Sequence, residues 1–199
     1  MLRRSLLLIT LLLAGCAHYA AVDPGPNGTP VKSTLEVYPH LRWAKVTMAT
    51  PDALFNDQSG RVETWTIDGE KLDSIMFFTA IGDNQPLLTL SADKGSLPPF
   101  RSGMTPNEIM DLFTGTFATA TGSAVVQARD LRPATLGGAN GFRFEVSYTL
   151  KDDVDRELSA VGTVRDGKLY LIAFQGTKLY HYGKYLPEFE QIISTAHLS

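Results

Sequence analysis

The sequence predicts an α+β fold: an antiparallel β-sheet of hairpins with flanking helices, in a single domain that closes on a C-terminal helix. Three observations predict it. Residues 142–151 alternate strictly, with Phe142, Phe144, Val146, Tyr148 and Leu150 on one face and Arg143, Glu145, Ser147, Thr149 and Lys151 on the other. Such alternation marks a half-buried antiparallel strand. Asp68-Gly69 and Asp166-Gly167 are two-residue turn signals between strand-like runs, which read as hairpins. Helical periodicity is confined to two stretches, so strands follow strands instead of alternating with helices.

In chain order, residues 43–50 read as the first strand, with Thr50-Pro51-Asp52 opening a turn. Residues 61–68 and 71–80 form a hairpin around Asp68-Gly69. Residues 81–104 are punctuated by Asp83-Asn84, Pro86, Gly95 and Pro98-Pro99, with 87–90 a short strand. Thr105-Pro106-Asn107-Glu108 is a helix start: a capping threonine, proline at the first helical position and glutamate completing a capping box. Ile109, Leu112, Phe113 and Phe117 then recur at helical spacing, and the helix fades near Ala120-Thr121-Gly122. Residues 123–131 read as a strand ending before Pro133, followed by a turn over 137–141. Residues 156–165 pair with the alternating strand across Asp152-Asp153-Val154-Asp155. The strand over 168–175 is apolar on both faces from Leu169 to Phe174, the pattern of a central strand. The closing helix spans 187–196, with Glu188 and Glu190 in its first turn and Phe189, Ile192, Ile193 and Ala196 as its buried stripe.

Ahead of this domain, residues 1–15 have the three parts of an export signal. Arg3 and Arg4 are the positive start, Leu6 to Leu13 are apolar except for Thr10, and Ala14 and Gly15 are small. The apolar run is shorter than the roughly 20 residues that span a bilayer and matches the core of a signal peptide. Leu13-Ala14-Gly15-Cys16 resembles the lipobox of bacterial lipoproteins, and Cys16 is the chain's one cysteine. The resemblance implies that the Cys16 thiol carries a diacylglycerol, that cleavage falls just before it, and that its amine takes a further acyl chain such as palmitate. Ala17 stands where an aspartate would retain such a protein at the inner membrane of a Gram-negative cell, which implies the outer membrane, facing the periplasm. Residues 16–34, with Asp23-Pro24-Gly25-Pro26-Asn27-Gly28-Thr29-Pro30, read as a Pro/Gly-rich tether. The domain then covers 35–199.

Charge narrows the function. The chain has 18 Lys+Arg against 21 Asp+Glu; without Arg3 and Arg4 the balance is 16 against 21, a net charge of −5. Phosphate backbones need a basic footprint, so no nucleic acid partner is expected. A single cysteine allows no internal disulfide.

Catalytic and metal signatures do not emerge. The stretch from Gly176 to Lys184 departs from a phosphate-binding loop, because six residues separate Gly176 from Gly183 and Tyr185 stands where a Ser or Thr is needed. There is no G-x-S-x-G, and no two of His18, His40, His181 and His197 have zinc-ligand spacing. Asp152, Asp153, Asp155 and Glu157 lack calcium-loop spacing and read as a solvated turn. No metal and no cofactor are expected.

The order of elements over 35–199 resembles the PsbP-like family of photosystem II extrinsic subunits and the related Mog-type Ran-binding proteins. That resemblance implies an antiparallel sheet with flanking helices, ending in a hairpin and a C-terminal helix, and a non-catalytic interaction module. It carries no functional residue across. The residues themselves single out Lys178, Tyr180, His181, Tyr182, Lys184 and Tyr185 as a possible partner surface, because tyrosine offers wide contact area with a polar tip. The expected role is a lipid-anchored accessory or binding module of the cell envelope, held to the membrane through Cys16 and meeting an envelope protein or glycan. Two alternatives stay open: a periplasmic hydrolase using His181, and a carrier of a small apolar ligand.

Overall fold

Period-two alternation along the central strands sets the layers. A computed structural model describes residues 18–48, 53–54, 57, 59–91 and 95–199. The leader, Cys16 and the turn at Thr50-Pro51-Asp52 lie outside these residues.

The described strands are β1 (Tyr19–Val22), β2 (Thr29–Val31), β3 (Leu35–Val37), β4 (Trp43–Val46), β5 (Val62–Thr66), β6 (Asp73–Ile81), β7 (Val126–Leu136), β8 (Ala139–Thr149), β9 (Asp155–Arg165), β10 (Lys168–Thr177) and β11 (His197–Leu198). Helix α1 (Pro106–Thr121) lies between β6 and β7, and α2 (His181–Thr195) between β10 and β11. Eight strands form one antiparallel sheet in the order β1-β4-β5-β6-β10-β9-β8-β7, and β11-β3-β2 form a second, small one. The result is mostly antiparallel sheet with two helices, in one domain with a C-terminal helix.

Both faces of the large sheet are covered. On β10, Leu169, Leu171 and Ala173 enter the core under α1, while Tyr170, Ile172 and Phe174 enter the core shared with α2 and the small sheet. This is why residues 169–174 read as apolar on both faces, and β10 is central, between β6 and β9. On β8, Phe142, Phe144, Val146 and Tyr148 all face α1. Arg143, Glu145 and Ser147 therefore face the α2 side, where a polar network replaces apolar packing.

Local chemistry explains the elements. The Thr105 N–H donates to Glu108 Oε2 at 2.7 Å and the Glu108 N–H returns to Thr105 Oγ1 at 3.4 Å. That capping box satisfies two donors that a helix start leaves open. Gly122 ends α1 in the left-handed region at φ 68°. Asp166 and Gly167 both take positive φ, 51° and 71°, as a two-residue hairpin turn requires.

Four expectations are corrected. Residues 87–90 are not a strand; Leu87, Leu88 and Leu90 are all buried against the α1 core, which consecutive residues of a flat strand do not achieve on one face. β7 does not stop before Pro133 but runs to Leu136, because it is the sheet's outer strand, and an edge tolerates a residue without an N–H. α2 starts at His181, six residues ahead of Pro187, which sits inside the helix. The carbonyl that Pro187 leaves unbonded belongs to exposed Gly183, four residues earlier, so water satisfies it. Glu188 and Glu190 consequently lie in mid-helix. Glu188 accepts the His40 and Leu41 N–H groups at 2.7 and 3.0 Å, and Glu190 pairs with Arg143 at 2.6 Å.

The fourth correction concerns the tether. Tyr19–Val22 pairs with β4, and Thr29–Val31 pairs with β3, burying Val22 and Val31. From Tyr19 the chain belongs to the sheets, so the globular part begins well before residue 35. Both strands lie at sheet edges, where Pro30 is admissible.

Candidate functional site

Three turns meet at one end of the large sheet. The Thr177 N–H donates to the Leu72 carbonyl at 3.0 Å, and the Lys178 N–H to the Asp155 carbonyl at 2.9 Å. Residues 178–180 then turn into α2, whose first turn carries His181, Tyr182, Lys184 and Tyr185.

Asp68, from the β5–β6 turn, organises this end. The Tyr185 hydroxyl donates to Asp68 Oδ2 at 2.7 Å, Lys184 Nζ lies 3.4 Å from the same oxygen and His181 Nε2 3.6 Å from it. The Tyr185 hydrogen bond and then the Lys184 charge hold the Asp68 carboxyl below its ordinary value. Tyr185 and Asp68 together raise the Lys184 pKa, so the ammonium stays charged. Asp68 is aimed by Asp73, whose carboxylate accepts the Ile67 and Asp68 N–H groups at 2.7 and 2.6 Å. Burial pushes the Asp73 carboxyl up, against those two bonds.

The six residues of the expected partner surface divide. Tyr180 is 58% exposed and Tyr185 4%. Tyr182 is half-buried: its ring stacks on Phe174 at 5.8 Å and its hydroxyl donates to Glu145 Oε2 at 2.9 Å. Lys184 lies over the rings of Tyr180 and Tyr185, at 5.1 and 4.5 Å. Lys178 Nζ is 3.6 Å from Glu157. Tyr182 and Tyr185 thus fasten α2 to the sheet, while Tyr180 faces solvent over Lys184.

Sequence reasoning passed over the most exposed neighbour. Leu179 is 97% exposed, and Leu72 and Val154 are exposed on the adjoining turns. The signal was available, since Leu179 stands between two polar residues in a turn. Asp68 had no such signal: its partners lie 113–117 residues away, and it read as a turn former only.

His181 does stand between a hydroxyl and a carboxylate. Thr177 Oγ1 lies 2.7 Å from Nδ1, and Asp68 is on the other side. But 3.6 Å exceeds a hydrogen bond, Asp68 Oδ2 already receives Tyr185, and Thr177 is buried. Thr177 Oγ1 also accepts the His181 N–H at 3.4 Å, closing the entry into α2. A nucleophile must reach its substrate, and this hydroxyl is spent on the helix start. The acidic turn is similarly committed: Asp152 pairs with Arg156 at 2.6 Å and Glu157 with Arg129 at 2.6 Å. The space beneath α1, where a carried ligand would sit, is filled by Phe78, Phe113, Phe117, Phe144 and Tyr148 in ring contact. Among the described residues no helix is long and apolar enough to cross a membrane.

No family model matches the chain, and no curated protein does. Among solved structures, it is similar to the cyanobacterial PsbP protein (CyanoP) of Synechocystis, at 16% identity and a TM-score of 0.49, over 96% of this chain and 99% of that one. It is also similar to LpqN, involved in cell envelope biogenesis of Mycobacterium tuberculosis, at 14% identity and a TM-score of 0.36, over 92% of each.

Proposed function

We propose that this chain is a lipid-anchored accessory protein of the cell envelope, tethered to the outer membrane through Cys16, that binds a partner protein at the Leu179–Tyr180 end of the sheet. The anchoring part rests on the order Leu13-Ala14-Gly15-Cys16 behind a short apolar leader, with no second cysteine in the chain. One acyl chain anchors marginally and two or three firmly, at about 0.8 kcal/mol per buried CH₂.

The binding part rests on one observation. Tyr180 occupies the N-cap position of α2 and makes no side-chain capping bond. Ser, Thr, Asp or Asn there would stabilise the helix by about 1 kcal/mol, so the tyrosine is not explained by helix stability. Exposed Leu179 precedes it, and the exposed side chains of Leu72 and Val154 flank the same end. Local rules broken together in one patch mark a site of function. The patch favours an apolar protein surface over an acidic one, because Lys178 and Lys184 already have carboxylate partners.

A photo-crosslinking residue in place of Leu179, in the full lipoprotein in its own cells, tests this reading. A discrete protein adduct that disappears on Tyr180→Ser, with the fold intact, is the expected result. No adduct, or adducts only to peptidoglycan or lipopolysaccharide, overturns the protein-partner assignment.

A further inference from the structure

The register of β1 fixes how close the domain lies to an anchor on Cys16. Tyr19 pairs with Val46, and the Thr47 N–H donates to the His18 carbonyl at 2.8 Å. The sheet is therefore engaged from His18, two residues after Cys16. Two residues of fully extended chain reach about 7 Å. The headgroup layer of one leaflet is about 5–8 Å deep, given a hydrocarbon core of about 30 Å within about 40–45 Å overall.

We infer that the β1–β4 corner, with Tyr19 and Met48, rests in the lipid headgroup layer, so that the domain sits flush on the membrane and holds the Leu179–Tyr180 end away from it. The inference rests on the anchoring reading above. The corner has the side chains for this. Tyr19 is 40% and Met48 48% exposed, and both lie at the end of the sheet from which the chain leads back to Cys16. Tyrosine places an apolar ring and a polar tip at a membrane interface, and methionine adapts to irregular apolar surroundings. Lys45, opposite Ala20, is tied to buried Glu63 at 2.7 Å, so its positive charge is compensated.

Strand direction does the rest. β1 begins at the end of the sheet where β4 and β6 finish, whereas β10 finishes at the opposite end. Ten residues of β10 span about 30 Å at about 3.3 Å each. A partner reaching Tyr180 thus comes from the aqueous side, not from the bilayer plane.

The test uses the acylated full chain in phosphatidylethanolamine–phosphatidylglycerol vesicles. Acylation consumes the Cys16 thiol, so an introduced cysteine takes a fluorescent label alone. Labels at Met48→Cys and Tyr19→Cys should shift to the blue and be quenched several-fold more by headgroup nitroxide lipid than a label at Leu179→Cys. Equal quenching at the two ends on a protein with acylated Cys16 overturns this inference and leaves the anchoring reading standing. A Cys16 that takes the label itself and carries no acyl mass overturns both.

Discussion

Replacing Tyr182 by phenylalanine separates packing from recognition in the tyrosine cluster. The change keeps the ring that stacks on Phe174 and removes only the hydroxyl, which donates to Glu145 Oε2 at 2.9 Å. Glu145 is buried, and its other oxygen accepts Arg143 Nε at 3.1 Å and Ser159 Oγ at 2.9 Å. Burial and the facing carboxylate push the Tyr182 hydroxyl pKa up, so its proton stays in place at any ordinary assay pH. A hydrogen bond to a charged group contributes about 1.5–3 kcal/mol, and each kcal/mol shifts the melting temperature by about 2–4 °C in a chain of 150–250 residues. Tyr182→Phe should therefore lower the melting temperature by about 3–12 °C, followed by circular dichroism on Cys16→Ser protein, and leave the Leu179 crosslink in place. Tyr180→Ser should behave oppositely. It removes an exposed ring from an N-cap and installs a residue that caps well, so stability should hold or rise while the crosslink is lost. A larger stability loss from Tyr180→Ser than from Tyr182→Phe would refute the division of the cluster into fastening and contact residues.

Three further outcomes follow from the fold. Thr105→Ala removes one half of the α1 capping box and should cost about 1 kcal/mol in chemical denaturation. Gly141→Ala sets a Cβ against the Gly162 carbonyl oxygen on the neighbouring strand, so β8 and β9 must part locally; a loss of about 2–3 kcal/mol is expected, and an unchanged denaturation midpoint would count against the register. Arg156 holds the Asp152 carboxyl down to about 2, chiefly by hydrogen bonding. A folded value below the unfolded one means that this contribution is complete above about pH 4 and fades as pH falls toward 2, so Asp152→Asn should flatten that part of the acid-unfolding curve.

What was legible in the sequence is what local chemistry decides. The capping box at Thr105 and Glu108, the Asp166-Gly167 turn and the alternation over residues 142–149 each depend on neighbours within a few positions, and each forms as read, whereas the hairpin at Asp68-Gly69 closes through a longer connection, from Thr66 at the end of β5 to Asp73 at the start of β6. Elements decided by distant partners were not legible. Pro187 reads as a helix start until Glu188 is seen accepting backbone N–H groups 147 and 148 residues away, which holds the helix in register through the proline. Pro133 reads as a strand end unless β7 is known to be an edge. The Pro/Gly-rich stretch ahead of residue 35 reads as a tether because its composition disfavours central strands, whereas β1 and β2 lie at edges. At the site, the aromatic cluster was visible, but its division was not: Tyr182 and Tyr185 turn inward because Glu145 and Asp68 accept their hydroxyls. Leu179 is legible as an apolar residue between polar neighbours in a turn, but only the fold shows that it is 97% exposed beside Leu72 and Val154.

Lipid attachment at Cys16 underlies both the proposed role and the orientation of the domain, and the intact mass of the mature protein extracted from membranes decides it. The predicted result is an N-terminus at Cys16 bearing a diacylglyceryl group and a further acyl chain, with Cys16→Ser releasing the protein to the soluble fraction. A free, unmodified thiol at Cys16, or Cys16→Ser protein that stays with the membrane, would contradict it.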